Sequence, residues 1–496
     1  MYRRETQCDY FMCIMCSVTA VIFLCAHSPS EAPFPSSFHA PRRLVRLLDG
    51  HVRDIPGRPS TQRLIQGLSK LAGVPWPEQP LKTVSLTNSR SEREALRRAA
   101  RASVLASAAY STFGVFLVAW TRSPIHAFRT LWWMICGLHQ PHRTAFDIHT
   151  RSLGLSSRDL LFAQWRAQWR PRLTNDQGEK VIQWNGIEPP SRGSSTTSPA
   201  GSAYVPAHYI VVDHVERAVV LVVRGTLALE DMVTIFQVAP SRRDERELGR
   251  HCHGGMAAAA RGLVEQHSGL LHQALRDHPG YRLDLAGHSL GAGIASFATV
   301  LLRRSLPRGT KVHAYAFAPP CTLPLRGIRR HDSLVDGYIY RADVVPRLSV
   351  GSVHGLCEAI GTVTQEPEAD ATASLAAAVR DHVRRAERLP QPTTRFPPGR
   401  LRQLEWVRHG KVEDRNTRWR RRGGGWREPL TLLCPSRRGL GLIRLRGSMF
   451  RDHGFDRYEC ALAALAAESA SPPPQSSGCA RGEAGSDDAF EANRGR

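Results

Sequence analysis

The chain has 496 residues, 42% of them hydrophobic, which is enough for one large α/β domain with extensions. Its formal charge of +23 comes mostly from arginine; either arginine-rich codon usage or contact with anionic surfaces explains it. No nucleic-acid-binding motif accompanies the charge, so the expected partner is a membrane surface, not nucleic acid. Eleven scattered cysteines, an odd number, exclude a simple disulfide framework.

Arg3 and Arg4 precede an uncharged run from Tyr10 to Ala26. Residues 1–32 therefore read as a signal sequence or a short N-terminal membrane anchor. Cys13 and Cys16, the one C-x-x-C pair, lie inside this run, where a metal or redox role is not expected. Ser30-Glu31-Ala32 suits a cleavage site and Pro33 disfavours cleavage, so removal and retention both stay open. Residues 33–94 read as a Pro-rich, polar linker region and 95–470 as the folded domain. An amphipathic stretch over 91–102 runs into a second apolar run over 103–120; a membrane span, an interfacial helix and a helix packed on the core all fit it. Residues 190–204 are a Ser/Thr/Gly/Pro-rich surface loop. Strands are predicted at 209–212 and 218–223, and a long helix at 256–275.

Tyr281, Leu283 and Leu285 alternate as in a strand, which meets Gly287-His288-Ser289-Leu290-Gly291 and then a helix-compatible stretch over 292–302. Strand, sharp turn with a central Ser, then helix: this is the nucleophile elbow of an α/β-hydrolase. The turn forces Ser289 into strained backbone geometry, so Gly287 and Gly291 must lack side chains. The Leu290 N–H at the helix start then faces a developing oxyanion. Further strands are predicted at 312–317 and 335–340, and an inserted helix at 366–388. Alternating β and α segments imply a mostly parallel central sheet with helices on both faces and loop insertions, placed at 355–392 and 406–447. Residues 395–427 are basic and Pro/Gly/Trp-rich, and 471–496 form a polar, acidic tail expected to be disordered.

A serine needs a His to take its proton and an acid to orient that His. In this fold the chain order is Ser, acid, His. Asp343 follows the 335–340 strand at its carboxyl end, whereas Asp336 and Asp332 lie at the other end. His453, just before a helix predicted from about residue 456, is one candidate base; His354, His382 and His409 are rivals by order alone. The side chain of His288 is expected to point away from the nucleophile. The apolar strand over 218–223 runs into Arg224-Gly225-Thr226, where Gly225 permits close approach and Thr226 offers the second oxyanion donor.

Together these segments resemble the class 3 lipases, in their sn-1-specific diacylglycerol lipase branch. VVRGTLALED (222–231), HGGM (253–256), GHSLGAG (287–293), YAFAPPC (315–321), DVVPRLS (343–349), RFPPGRLRQLE (395–405) and SMFRDHGFDRYECAL (448–462) follow the family's order. The resemblance covers roughly residues 95–465 and favours His453 over its rivals. One departure is Ile235, where the family usually has a second Asp. The resemblance implies an ester hydrolase acting on a glycerolipid with Ser289, His453 and Asp343 as triad, Thr226 and Leu290 as oxyanion donors, and no metal or organic cofactor. Triacylglycerol lipase or phospholipase A1 activity is the alternative within enzymes, and an inactive lipid-binding scaffold the alternative outside them. Membrane association in the secretory or endomembrane system is expected, or secretion if the N-terminal segment is cleaved. Arg418, Arg420, Arg421 and Arg422 around Trp419, with Trp426, are expected to seat the site on an anionic bilayer.

Overall fold

The structure, a computed structural model, describes residues 70–71, 82–83, 90–111, 141–165, 168–171, 202–226, 240–365, 371–388, 394–408, 411–412 and 430–470. The N-terminal run, most of the 190–204 loop, Ile235, His409, the arginines at 418–422 and the tail lie outside the described residues.

In chain order the elements are β1 (Lys82–Thr83), α1 (Arg90–Ala108), α2 (Pro141–Thr150), β2 (Leu160–Gln164), β3 (Gln168–Pro171), β4 (Ser202–Val205), β5 (His208–Asp213), β6 (Ala218–Val223), α3 (Arg242–Leu248) and α4 (Gly254–Asp277). There follow β7 (Arg282–His288), α5 (Leu290–Ser305), β8 (Val312–Phe317), β9 (Val335–Tyr340), α6 (Val350–Gln365), α7 (Ala371–Arg388), β10 (Arg400–Arg408), β11 (Lys411–Val412), β12 (Leu430–Cys434) and α8 (Phe455–Ala470). The chain folds as an α/β-hydrolase around one mostly parallel sheet, ordered β1-β12-β10-β9-β8-β7-β6-β5-β2. Strands β6 to β10 run parallel in sequential order, and the flanking pairs β2–β5, β5–β6, β10–β12 and β1–β12 are antiparallel.

The central strands are apolar on both faces because both faces are covered. In β6, Val219, Leu221 and Val223 join one core with α4 and α5, while Ala218, Val220 and Val222 join a second core with α1 and α8. In β8, Ala314 and Ala316 point to the first core, Tyr315 and Phe317 to the second. A third, smaller core joins α6 and α7 to Val344, Leu442, Ile443 and Met449.

The predicted strands at 218–223, 312–317 and 335–340 are observed with those bounds. The helix expected over 366–388 is observed as α7 over Ala371–Arg388, and α6 over Val350–Gln365, which precedes it, was not expected. Two regions expected to lie off the sheet contribute to it. Leu430–Cys434 pairs with β10, and Lys82–Thr83 pairs with Leu430–Cys434 in turn. The start of the second apolar run closes α1: Leu105 and Ala106 are buried in the second core, while Arg93, Arg97 and Arg101 of the same helix carry charge. No helix among the described residues is long and apolar enough to cross a membrane.

Charge pins α1 to the sheet. The Arg101 guanidinium donates twice to Asp213 at the end of β5, at 2.9 Å for Nη2 to Oδ1, and again to the Leu153 carbonyl at 2.7 Å. Asp213 is buried, and its other donor is the Glu216 N–H at 3.1 Å. Removing only the cation strands a buried carboxylate, which costs about 3–5 kcal/mol, whereas neutralising both partners costs less. Urea denaturation is therefore expected to show Arg101→Met destabilised by about that amount, with Arg101→Met/Asp213→Asn recovering a good part of it. A single-variant loss below about 1 kcal/mol would put the anchor of α1 in its apolar face alone.

Candidate active site

The elbow is built as the turn demands. Ser289 has φ 57° and ψ −128°, a strained conformation for a residue with a side chain, and it caps the start of α5. A Cβ on Gly287 would stand 2.5 Å from the carbonyl carbon of Gly291, and one on Gly291 would collide with the carbonyl oxygen of Val223. The two glycines let β7, α5 and the end of β6 meet at this point. The Ser289 N–H donates to the Phe317 carbonyl at 2.9 Å, fixing the turn to β8.

Two loops at the carboxyl ends of the sheet bring partners to the serine. His453 Nε2 lies 3.0 Å from Ser289 Oγ, and His453 Nδ1 lies 3.1 Å from both carboxylate oxygens of Asp343. A carboxylate only accepts, so Nδ1 carries the proton and Nε2 accepts from the serine hydroxyl. Asp343 has no solvent exposure. The Val345 N–H donates to its Oδ1 at 2.9 Å and the Tyr458 hydroxyl to its Oδ2 at 2.5 Å, while the Tyr340 N–H donates to the Tyr458 oxygen at 2.9 Å. Burial and the neighbouring Asp343 charge push the Tyr458 phenol well above its ordinary range, so it stays a donor. The hydroxyl spans from strand β9 to the carboxylate that follows it.

A second carboxylate ties the two loops together. Asp452, next to His453, accepts from the Ala342 N–H at 3.2 Å and from the Ser448 hydroxyl at 2.7 Å. Arg341 bridges Asp452 at 3.9 Å and Glu405 on β10 at 3.6 Å.

Ser289, Asp343 and His453 thus come together, and among the described residues the rivals His354 and His382 lie elsewhere. His354 lies on α6, and His382 is buried on α7. Asp336 sits near the start of β9 in a cluster with His313, Arg400 and Arg402, and Asp332 pairs with Arg437 at 2.5 Å. Leu290 is the first residue of α5, where N–H groups have no acceptor within the helix. Gly225 packs directly on the elbow: a Cβ there would stand 2.6 Å from the His288 carbonyl oxygen and 3.2 Å from Ser289 Cβ. Thr226 is the residue that follows Gly225. Among the described residues, no three His, Cys, Asp or Glu side chains converge as metal ligands.

The contacts of Tyr458 and Tyr110 escaped the reading of the sequence, and His288, expected only to point away from Ser289, packs against His453. The His288 ring lies beneath His453, with ring centroids 4.8 Å apart, and its Nε2 sits 2.9 Å from the His453 carbonyl oxygen. Its Nδ1 meets the Tyr110 hydroxyl at 2.8 Å. Burial and the nearby His453 hold His288 well below the ordinary histidine range, so the ring is neutral.

Comparison with known proteins follows this geometry. Residues 220–352 match the family Lipase (class 3). The chain is 38% identical to mouse diacylglycerol lipase-beta over 155 residues, 30% of this chain and 22% of that protein. It is 30% identical to human diacylglycerol lipase-alpha over 172 residues, 32% of this chain and 16% of that protein. A secreted mono- and diacylglycerol lipase A of Penicillium cyclopium is 32% identical over 113 residues, 22% of this chain and 36% of that protein. The matches thus span well under half of each relative. A solved fungal lipase–inhibitor complex aligns over 51% of this chain and 74% of its own, at 12% identity and a TM-score of 0.32.

The cluster behind the triad has a pH signature. Burial pushes the Glu405 carboxyl up to about 7, despite the Arg341 guanidinium and the Gln403 amide that favour its charged form. The folded state therefore keeps a proton that the unfolded chain releases near 4.5. That contribution to stability is full below the lower value and is lost as pH rises through the upper one. Urea midpoints measured between pH 4 and pH 8, a range of about four units, are expected to fall with rising pH in the wild type and to fall less in Glu405→Gln. Parallel curves would assign the slope to other groups.

Proposed function

We propose, from the match of residues 220–352 to the family Lipase (class 3), that the chain is a serine lipase hydrolysing an acyl ester of a glycerolipid, with diacylglycerol cleaved at sn-1 as its substrate. The observation that carries this reading is the unbroken line from the Ser289 hydroxyl through His453 to the buried Asp343 carboxylate, at 3.0 and 3.1 Å.

In the proposed reaction Ser289 Oγ attacks the acyl carbonyl carbon while its proton passes to His453 Nε2. The carbonyl oxygen becomes an oxyanion held by the N–H groups of Leu290 and Thr226. His453 then protonates the glycerol oxygen as the ester C–O bond breaks, leaving an acyl-serine. Water attacks the acyl group, His453 takes its proton, and the serine oxygen leaves with that proton as the fatty acid departs. Asp343 keeps the His453 Nδ1 proton in place and stabilises the ring while it is charged.

Diacylglycerol is chosen as substrate because two of the relatives named above are diacylglycerol lipases. That lipid lies in a bilayer, so the reading includes association with a membrane surface, with anionic headgroups meeting the chain's positive charge. The arginines at 418–422 belong to this proposal; they lie outside the described residues.

A fluorophosphonate probe is expected to label Ser289 in the wild-type protein and nothing at that position in Ser289→Ala. Ser289→Ala and His453→Ala should each lower turnover of a short-chain ester by at least about a thousandfold, and the double variant should lose no more than either alone, because the residues act as a unit. Activity of Ser289→Ala within about tenfold of wild type, or inactivation by His354→Ala with His453→Ala harmless, would overturn the triad. Side-by-side assays should show diacylglycerol cleaved faster than phospholipid or triacylglycerol; a faster rate on either rival would displace the substrate.

A further inference from the structure

The elbow histidine packs against the His453 ring, with centroids 4.8 Å apart. His288 Nε2 faces the main-chain oxygen of His453 at 2.9 Å. A carbonyl oxygen only accepts, so Nε2 carries the hydrogen. The ring is buried and neutral, so Nδ1 has a lone pair and no hydrogen. The Tyr110 hydroxyl, 2.8 Å away, therefore donates to it.

Tyr110 reaches this place from the turn that ends α1, 178 positions before His288 in the chain. Its ring stacks on Phe455, two residues after His453, with centroids 4.4 Å apart and planes 14° apart. Its hydroxyl also occupies the space where a Cβ of Gly225 would stand, beside Thr226. One phenol thus touches the strand end bearing the proposed oxyanion donor, the elbow, and the start of the helix that follows the proposed base.

We propose that Tyr110 and His288 are positioning residues for the reaction: the Tyr110 hydroxyl locks His288 in its Nε2–H tautomer, and that N–H holds the His453 main chain so that its ring stays aligned between Ser289 and Asp343. The inference rests on the serine lipase reading and adds to it a requirement located outside the triad. Neither residue moves a proton during turnover. Without the Tyr110 donor, a neutral His288 is free to place its hydrogen on Nδ1, and a lone pair would then face the His453 carbonyl in repulsion. The His453 loop is connected to the rest of the site through Asp343 and Asp452, so loss of this contact leaves the triad present but less well aligned. Misplacement of a catalytic group by a fraction of an ångström lowers turnover without preventing binding.

The test uses the full chain and two measurements. First, nitrogen NMR of histidine-labelled protein reports the His288 tautomer directly, whether or not the enzyme is active. The wild type is expected to show a neutral ring with the hydrogen on Nε2, and Tyr110→Phe a mixture of tautomers or an exchanging signal. Second, kcat and KM on a soluble short-chain ester are normalised to active sites titrated with a fluorophosphonate. Tyr110→Phe, which keeps the ring stacked on Phe455, is expected to lower kcat per titrated site about 5- to 30-fold with KM within about twofold of wild type. His288→Gln, whose amide can still donate to the His453 carbonyl, should retain more kcat than His288→Leu.

A purely structural role would lower the melting temperature and the titratable fraction and leave kcat per titrated site unchanged. The proposal is overturned by a wild-type His288 that is charged or protonated on Nδ1, or by a Tyr110→Phe kcat per site within about twofold of wild type. If Ser289 takes no probe and no ester is hydrolysed, it is the lipase reading that fails, and the tautomer spectra still decide the Tyr110–His288 contact.

Discussion

The site depends on a single backbone constraint, the positive φ of Ser289. A parallel strand must become a helix within one residue there, and the conformation costs of the order of 1–3 kcal/mol. It persists because its surroundings leave no alternative. The residues of α5 from Leu290 to Leu302 are all buried, and most of those nearest the elbow are glycine or alanine, so the helix lies close on β6, β7 and β8. Burial of Ile294, Phe297, Leu301 and Leu302 in the first core offsets the strain. The Ser289 turn is held by the packing of a whole helix.

On the other side of the serine the governing term is electrostatic. A carboxylate with no solvent exposure is tolerable only when its lone pairs are satisfied. Asp343 meets that condition with donors from Val345, Tyr458 and His453. Asp452 and Arg341 repeat the arrangement one layer back. The two loops are therefore cross-linked by polar contacts whose individual loss would leave a buried group unpaired, which is costlier than the contacts themselves are stabilising. This part of the site is specified by satisfaction of buried charge, and the elbow by steric exclusion.

Those two kinds of specification differ in how far they can be read from a sequence. The elbow was legible because its constraints are local: strand, glycine, serine, glycine and helix are contiguous. The strands at 218–223, 312–317 and 335–340 were legible because burial on both faces makes each a continuous or nearly continuous apolar run. The order of Ser289, Asp343 and a later His could be inferred, yet the choice of His453 over His354 needed resemblance to a family, since spacing does not separate them. Strand β12 was missed because LTLLC is short and lies in a basic stretch that dominates its appearance. The contacts of Tyr110, His288 and Tyr458 were missed for a different reason. Their partners lie 178, 165 and 115 positions away, and nothing in their neighbours announces such contacts.

The same distances bear on how the protein comes into being. Helix α1 supplies Tyr110 early, the elbow lies near the middle of the chain, and His453 arrives in the last turn before α8. A chain emerging from the ribosome can form β5, β6 and the α4–β7–α5 unit, and with them the turn at Ser289, before His453 is available to meet it. Helix α8 also packs on α1, so the second core is closed by the first and last helices among the described residues that it contains. Closure of the second core by α1 and α8 and the approach of His453 to Ser289 are then one event in folding.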